Sequence, residues 1–252
     1  MYDAPQYVEL FHLVFLDFLG RKLDKRYCVL KGGCNLRFFM KSFRYSEDMD
    51  IDVQGVSKQK LAESVDSILT SRSFSQALQI HQIALVKLSA PKQTDTVQRW
   101  KMLLSVGGID VLLNTKTEFS RRGITREHAF EAVDPQLIDT YSLTPILANH
   151  YTSHAAYKQK VEALISRPVP QARDVFDLFL LLSTGVNSEL DDFKLHSRLG
   201  EAVTNALSVT FDIFKGQVFS YLHPEYQSVY DSRDVWDDMV LRVVGAIEEA
   251  AQ

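Results

Sequence analysis

Between Gln6 and Leu23 apolar residues recur at helical spacing, with Val8, Phe11, Val14, Phe15 and Phe18 marking one face, which predicts an amphipathic helix. Tyr27 to Leu30 is a short apolar run of the kind that forms a buried strand, and it ends at Lys31-Gly32-Gly33. Asn35 to Lys41 reads as helical, with Leu36, Phe39 and Met40 inward. Polarity then alternates from Asp48 to Val53, the signature of a strand. Ser57 to Ser71 returns to a helical pattern through Leu61, Val65, Ile68 and Leu69. Strand-like stretches follow at Gln79–Leu88, Thr96–Val106 and Asp110–Phe119, the last two separated by Gly107-Gly108, which suggests a hairpin.

The second half differs. Thr144 to Ser166, Val175 to Ser183, Ser197 to Phe214 and Val235 to Ala250 all read as helices, without convincing strand signals. The change falls between Arg126 and Leu143, around Asp134-Pro135. The expected organisation is an α+β domain over residues 1–130 followed by a mostly helical domain over 131–252.

Composition narrows the function classes. Of 252 residues, 46% are hydrophobic and 24% charged, ordinary values for a globular protein. The net charge of −4 argues against coating nucleic acid by bulk electrostatics, although a local patch could still grip one RNA end. No apolar run reaches transmembrane length, because Glu9, His12 and Asp17 interrupt the stretch from Tyr7 to Gly20. Asp3 and Glu9 stand where a signal peptide has a basic start and an apolar block, so a cytoplasmic protein is expected, with Cys28 and Cys34 as reduced thiols.

Chemistry concentrates in Lys31-Gly32-Gly33 and Arg44-Tyr45-Ser46-Glu47-Asp48-Met49-Asp50-Ile51-Asp52. On a strand, alternate residues share a face about 6.5–7 Å apart, so the three aspartates point one way and Met49 and Ile51 the other. Carboxylates that close repel unless something positive sits between them. Mg²⁺ is commonly held by one or two carboxylates plus substrate phosphates. A strand–glycine–helix turn exposes backbone N–H groups that can cradle phosphate. An isolated Asp-x-Asp is more often the wet face of an edge strand, but a phosphate-binding turn feeding a carboxylate strand is a specific combination.

Glu118, in Lys116-Thr117-Glu118-Phe119-Ser120, is the candidate third carboxylate, preferred over Asp110 in the glycine turn. In the helical half, Lys160 and Arg167 precede Arg173-Asp174-Val175-Phe176-Asp177, and Asp174 and Asp177 share a helical face. Arg37, Lys41, Arg44, Arg121, Arg122 and Arg126 form a candidate basic patch for RNA. His150 and His154 stand four apart, without the glutamate of a metalloprotease helix. No G-x-S-x-G elbow, P-loop or G-x-G-x-x-G occurs.

Leu30-Lys31-Gly32-Gly33 with Leu36-Arg37, then Arg44-Tyr45-Ser46-Glu47-Asp48-Met49-Asp50, resembles the first motif of the AbiEii/AbiGii-type nucleotidyltransferase toxins, built on the polymerase-β-like nucleotidyltransferase fold. Lys116 to Ser120 resembles their second strand motif. Lys160-Val161-Glu162-Ala163-Leu164 with Arg167 and Ala172 to Leu178 resembles their helical motif. The resemblance implies a toxin that transfers a nucleoside monophosphate from an NTP to RNA, notably a tRNA acceptor end. Alternative acceptors are a protein side chain or a small molecule, and a catalytically silent nucleotide- or partner-binding domain is the reading from another class. The resemblance further implies Mg²⁺ or Mn²⁺ held by Asp48, Asp50 and Glu118, with Lys31, Gly32, Gly33, Arg44, Ser46 and Lys160 toward the nucleotide. Asp174 and Asp177 would orient the basic residues or assist the acceptor hydroxyl, and a cognate antitoxin would be the protein partner.

Overall fold

A computed structural model describes residues 2–190 and 193–251. Its contacts divide the chain into two compact units, one of Met1–Lys41 with Tyr45–Tyr151 and one of Ser42–Arg44 with Thr152–Gln252. The expected boundary at residues 130 and 131 falls inside a strand of the first unit.

The first unit is a seven-stranded mixed sheet with helices, in the spatial order β3-β4-β5-β2-β1-β7-β6. Its strands are β1 (Cys28–Lys31), β2 (Asp48–Val53), β3 (Ile83–Gln93), β4 (Val97–Val106), β5 (Ile109–Ser120), β6 (His128–Ala132) and β7 (Leu147–Tyr151). β2 lies centrally, antiparallel to β1 and parallel to β5. The hairpin expected at Gly107-Gly108 joins β4 to β5, with Val106 opposite Ile109.

Helix α1 (Ala4–Lys22) begins at a capping box between Asp3 and Gln6 and ends with Arg21 and Lys22 in its last turn, where cations complement the helix dipole. Every residue from Tyr7 to Leu16 is buried. The core formed with it takes in Met49 and Ile51 of β2, Trp100, Met102 and Leu104 of β4 and Phe119 of β5. Phe74 of α4 (Arg72–Ile80) meets Phe11, Phe15 and Phe18 edge to face, and α3 (Lys58–Leu69) contributes Leu61, Val65 and Ile68. The short α2 (Gly32–Phe39) follows β1 directly, and α5 (Pro135–Thr140) follows β6.

Several segments differ from the sequence expectation: β6 was not expected, and the helix expected over Ser197–Phe214 is divided into one over Leu199–Leu207 and one over Phe211–Gln217. The strand expected over Gln79–Leu88 starts only at Ile83, because Ser71 caps a further helix, α4, through the Phe74 N–H. The helix expected from Thr144 starts only at Ser153, where Thr152 caps α6 (Ser153–Ser166) through the Ala155 N–H. Before it, β7 extends the sheet by pairing with both β1 and β6.

The second unit is helical. Besides α6 it holds α7 (Ala172–Ser183), α8 (Phe193–His196), α9 (Leu199–Leu207), α10 (Phe211–Gln217), α11 (Pro224–Tyr230) and α12 (Arg233–Glu249). Trp236 stacks on Phe214 at 4.6 Å and donates its indole N–H to the Val209 carbonyl. The segment Ser42–Arg44 packs here: Phe43 stacks on Tyr226 at 4.1 Å, and its carbonyl accepts from the His223 N–H.

Candidate active site

Strand register builds the first cluster. Asp50 on β2 stands opposite Lys31 on β1 and Glu118 on β5, and Asp48 stands opposite Lys116. Residues directly opposed across a ladder share a face. Asp48, Asp50, Glu118, Lys31 and Lys116 are therefore neighbours on one face of the sheet, whose other face is the core. Asp110 sits at the hairpin end of the same strand, away from the aspartate pair.

Each carboxylate has a distinct environment. Lys116 Nζ reaches Asp48 at 2.5 Å. Arg99 of β4 clasps Glu118 through Nε at 2.6 Å and a terminal guanidinium nitrogen at 2.5 Å. Asp52 is buried, held by Lys31 Nζ at 2.5 Å and by the Tyr151 hydroxyl, which donates at 2.8 Å. Burial raises the Asp50 pKa; the neighbouring Lys31 and Lys116 charges oppose this and those of Asp48 and Glu118 reinforce it. Asp50 is thus the carboxylate whose charge is least compensated, and a cation placed there would relieve it.

The glycine turn is fitted to that carboxylate. Gly32 adopts φ +67°, a conformation glycine accepts without steric cost. A Cβ at Gly32 would meet Asp50 Oδ2 at 3.1 Å. No side chain caps α2, so its first N–H groups lack the partner that Asp, Ser or Thr usually supplies.

Behind the turn, buried side chains fix the start of β2. The Ser46 hydroxyl donates to the Asp48 carbonyl at 2.8 Å, and the Cys34 thiol donates to the same oxygen at 3.2 Å. Thr115 donates to the Glu47 carbonyl at 2.6 Å and is itself 2.7 Å from His12 Nε2. His12 has no exposed surface, and burial lowers its pKa to about 3, so the ring is neutral. Ser46, expected to touch phosphate, gives its proton to the strand backbone instead.

A second cluster lies within the helical unit. Lys160 Nζ bridges Asp174 at 2.9 Å and Asp177 at 2.7 Å. Arg44 adds a two-pronged contact to Asp177 at 2.9 Å, and Arg167 meets Asp174 at 2.7 Å. Both aspartates are fully buried. Desolvation opposes the charge on Asp177, but Arg44 and Lys160 outweigh it and lower its pKa; desolvation likewise opposes the charge on Lys160, but the two aspartates outweigh it and raise its pKa. Both aspartates are thus enclosed by cations of the helical unit.

The basic patch expected from the sequence is not formed as expected. Arg44 is buried in the cluster just described, and Arg37 is clamped to buried Glu9 at 2.5 Å, with the Tyr141 hydroxyl donating to the same carboxylate at 2.7 Å. Arg121 turns inward to the Val56 carbonyl at 2.7 Å, leaving Lys41, Arg122 and Arg126 exposed. The expected three-carboxylate chelate is not preassembled either: among the described residues no three Asp, Glu, His or Cys side chains are grouped closely enough to hold a metal ion. Lys116 and Arg99 draw Asp48 and Glu118 aside. The donor set still suits Mg²⁺, which one or two carboxylates and substrate phosphates suffice to hold. His150 and His154 do not pair, since the former stacks on Phe39 at 3.8 Å and the latter contacts the Asn187 carbonyl.

The residues that sequence reasoning missed are the supports: His12, Thr115, Arg99, Lys116 and Tyr151. The one available signal was the interruption of an apolar helix by Glu9 and His12, since polar groups buried there need partners.

Comparison with solved structures recovers this architecture. A Helicobacter pylori protein assigned as a nucleotidyltransferase superposes with a TM-score of 0.64 at 17% identity, covering 100% of this chain and 96% of that one. JHP933 from Helicobacter pylori gives 0.61 at 17% identity, covering 99% and 95%. MenT4, a nucleotidyltransferase toxin from Mycobacterium tuberculosis H37Rv, gives 0.64 at 15% identity, covering 96% and 83%. At such identities the likeness shows the fold. No curated protein sequence matches the chain. Over residues 15–213 the sequence matches the family model of the nucleotidyl transferase AbiEii toxin of type IV toxin–antitoxin systems, and the chain belongs to that family.

Proposed function

We propose that the protein is the toxin of a toxin–antitoxin pair and transfers a nucleoside monophosphate from an NTP to an RNA acceptor, the 3′ end of tRNA being the favoured target. The observation that carries this reading is Asp50, its charge under-compensated, set against Gly32 at the uncapped start of α2 and opposite Glu118. Asp48 and Asp50 would hold Mg²⁺ or Mn²⁺, with Glu118 as third carboxylate once Arg99 yields it. A bound divalent ion supplies electrostatic polarisation of the α-phosphate and a lowered pKa for the attacking hydroxyl. The Gly32 and Gly33 amides bind phosphate oxygens at the helix start. Lys116 and Lys31 hold their carboxylates in place and remain available to phosphate oxygens on the same face.

The helical unit's part is charge. Lys160, Arg44 and Arg167 bring three cations to two carboxylates, and Lys160 is the residue of this unit expected to steady the triphosphate. The antitoxin is the expected protein partner and the cytoplasm the expected compartment. No helix among the described residues is long and apolar enough to cross a membrane.

The test incubates the protein and its Asp50→Asn variant with each α-labelled NTP, Mg²⁺, total RNA and cell lysate. Label entering RNA is expected with the unsubstituted chain and not with the variant, whose circular dichroism should be unchanged. Full activity in Asp50→Asn would falsify the metal assignment. Label entering protein or a small molecule would move the acceptor class, and no transfer to any acceptor would leave a binding domain.

A further inference from the structure

The sheet face that carries the carboxylates continues outward across three strands. The Asp48 row passes through Lys116 on β5 and Lys101 on β4 to Ser89 on β3. The Asp50 row passes through Glu118 and Arg99 to Lys92, and a further row runs from Asn114 through Leu103 to Lys87. Opposed residues share a face, so Lys87, Lys92, Arg99, Lys101 and Lys116 stand together, spread over strands about 4.8 Å apart. The alternate residues Trp100, Met102, Leu104, Thr115, Thr117 and Phe119 are buried on the other side.

Lys87, Lys92 and Lys101 are exposed and form no ion pair among the described residues. Besides Glu118, the carboxylate on this face of β3–β5 is Asp110, out at the hairpin. A chain with a net charge of −4 thus concentrates cations on the surface adjoining its carboxylate pair. That face presents no aromatic ring on these strands, so it offers charge to a phosphate backbone and no platform for stacking bases.

We propose that this face of β3–β5 is the docking surface for the phosphate backbone of the RNA acceptor, with Lys87, Lys92 and Lys101 as its outer contacts. The inference rests on the RNA-directed reading above and deepens it. It moves the acceptor from the expected patch of Arg37, Lys41, Arg44, Arg121, Arg122 and Arg126, of which Arg37 and Arg44 are tied up in ion pairs, to a face whose outer strands, β3 and β4, carry none of the sequence motifs. Sequence-independent contacts of this kind position a nucleic acid and leave selection to other residues.

The test combines Lys87→Glu, Lys92→Glu and Lys101→Glu and measures binding of bulk fluorescein-labelled tRNA across a salt series. The control is Lys60→Glu, on the exposed side of α3. The triple variant should lose about tenfold or more in affinity at low salt, and its slope of log K against log salt should fall by about 2, as expected for three lost contacts. Its melting temperature and its thermal shift with NTP and Mg²⁺ should match the unsubstituted chain. Unchanged affinity and slope in the triple variant, with RNA still labelled by the unsubstituted chain, would overturn the docking surface and leave the toxin reading standing. Self-association of the triple variant with RNA binding intact would assign the lysines to protection of the β3 edge, and again overturn it. RNA neither bound nor labelled by the unsubstituted chain would overturn both.

Discussion

His12 has a ring that stays neutral because burial lowers its pKa to about 3. Thr115 donates to the Glu47 carbonyl, so the imidazole Nε2–H donates to Thr115 and leaves Nδ1 facing the Cys34 sulfur at 3.6 Å. A histidine with a depressed folded-state pKa contributes stability that is full above its unfolded value near 6.5 and is lost as pH falls toward 3. The urea midpoint should therefore drop over that window by an amount equivalent to several kcal/mol. His12→Gln, which keeps a donor near Nε2, should flatten that part of the curve while holding the β2 entry. His12→Leu should cost about 1–2 kcal/mol at neutral pH through the lost hydrogen bond and raise the Mg²⁺ concentration needed for half-maximal transfer. Equal pH profiles for the Gln variant and the unsubstituted chain would remove His12 from the account. The sequence showed a histidine and a glutamate interrupting an apolar helix face, but not their partners. Glu9 and Tyr141 are separated by 132 residues and His12 and Thr115 by 103, distances at which only tertiary packing creates a contact.

The elements carrying the carboxylates were the most legible ones, because β2 alternates strictly and the two glycines mark the turn before α2. Gly32→Ala should be costly on two counts, a left-handed φ and a methyl pressed to 3.1 Å from Asp50 Oδ2. A loss of about 1–2 kcal/mol in denaturant unfolding is expected, together with loss of transfer; unimpaired transfer would show that the close approach of the turn to Asp50 is dispensable. β7 was illegible for a local reason. Leu147-Ala-Asn-His-Tyr contains no β-branched residue, and its strand state comes from pairing with β1 and β6 on either side. The α6–α7 pair shows the opposite case, motifs visible as residues whose burial was not. Asp177→Asn should destabilise the helical unit by about 3–5 kcal/mol, the usual effect of breaking a buried ion pair. The Asp177 contribution is present above the usual carboxylate pKa and lost as pH falls through its lowered value. That of Lys160 is present below the usual lysine pKa and lost as pH rises through its raised one. Melting temperatures across pH should show both shoulders in the native protein and neither in a Lys160→Met/Asp177→Leu double variant.

For the molecule as a whole, membership of the AbiEii family and the mixed-sheet architecture agree with the motif order in the sequence, whereas the gathering of Lys87, Lys92 and Lys101 on one face follows from strand register, which no local pattern encodes. NTP with Mg²⁺ should raise the melting temperature, by an increment that grows with ligand concentration as mass action requires. Asp50→Asn should lose that increment. An equal shift in the variant would place the nucleotide elsewhere.

The short segment Ser42–Arg44 belongs to the helical unit although it is encoded between α2 and β2. The polypeptide therefore changes unit three times, at residues 41/42, 44/45 and 151/152. A gene cut at the last of these would strand Arg44 on the first fragment and leave the second without the guanidinium that neutralises buried Asp177. Neither half should be recoverable by separate expression, and recombination that exchanges either unit between relatives must carry this three-residue stitch with the helices it serves.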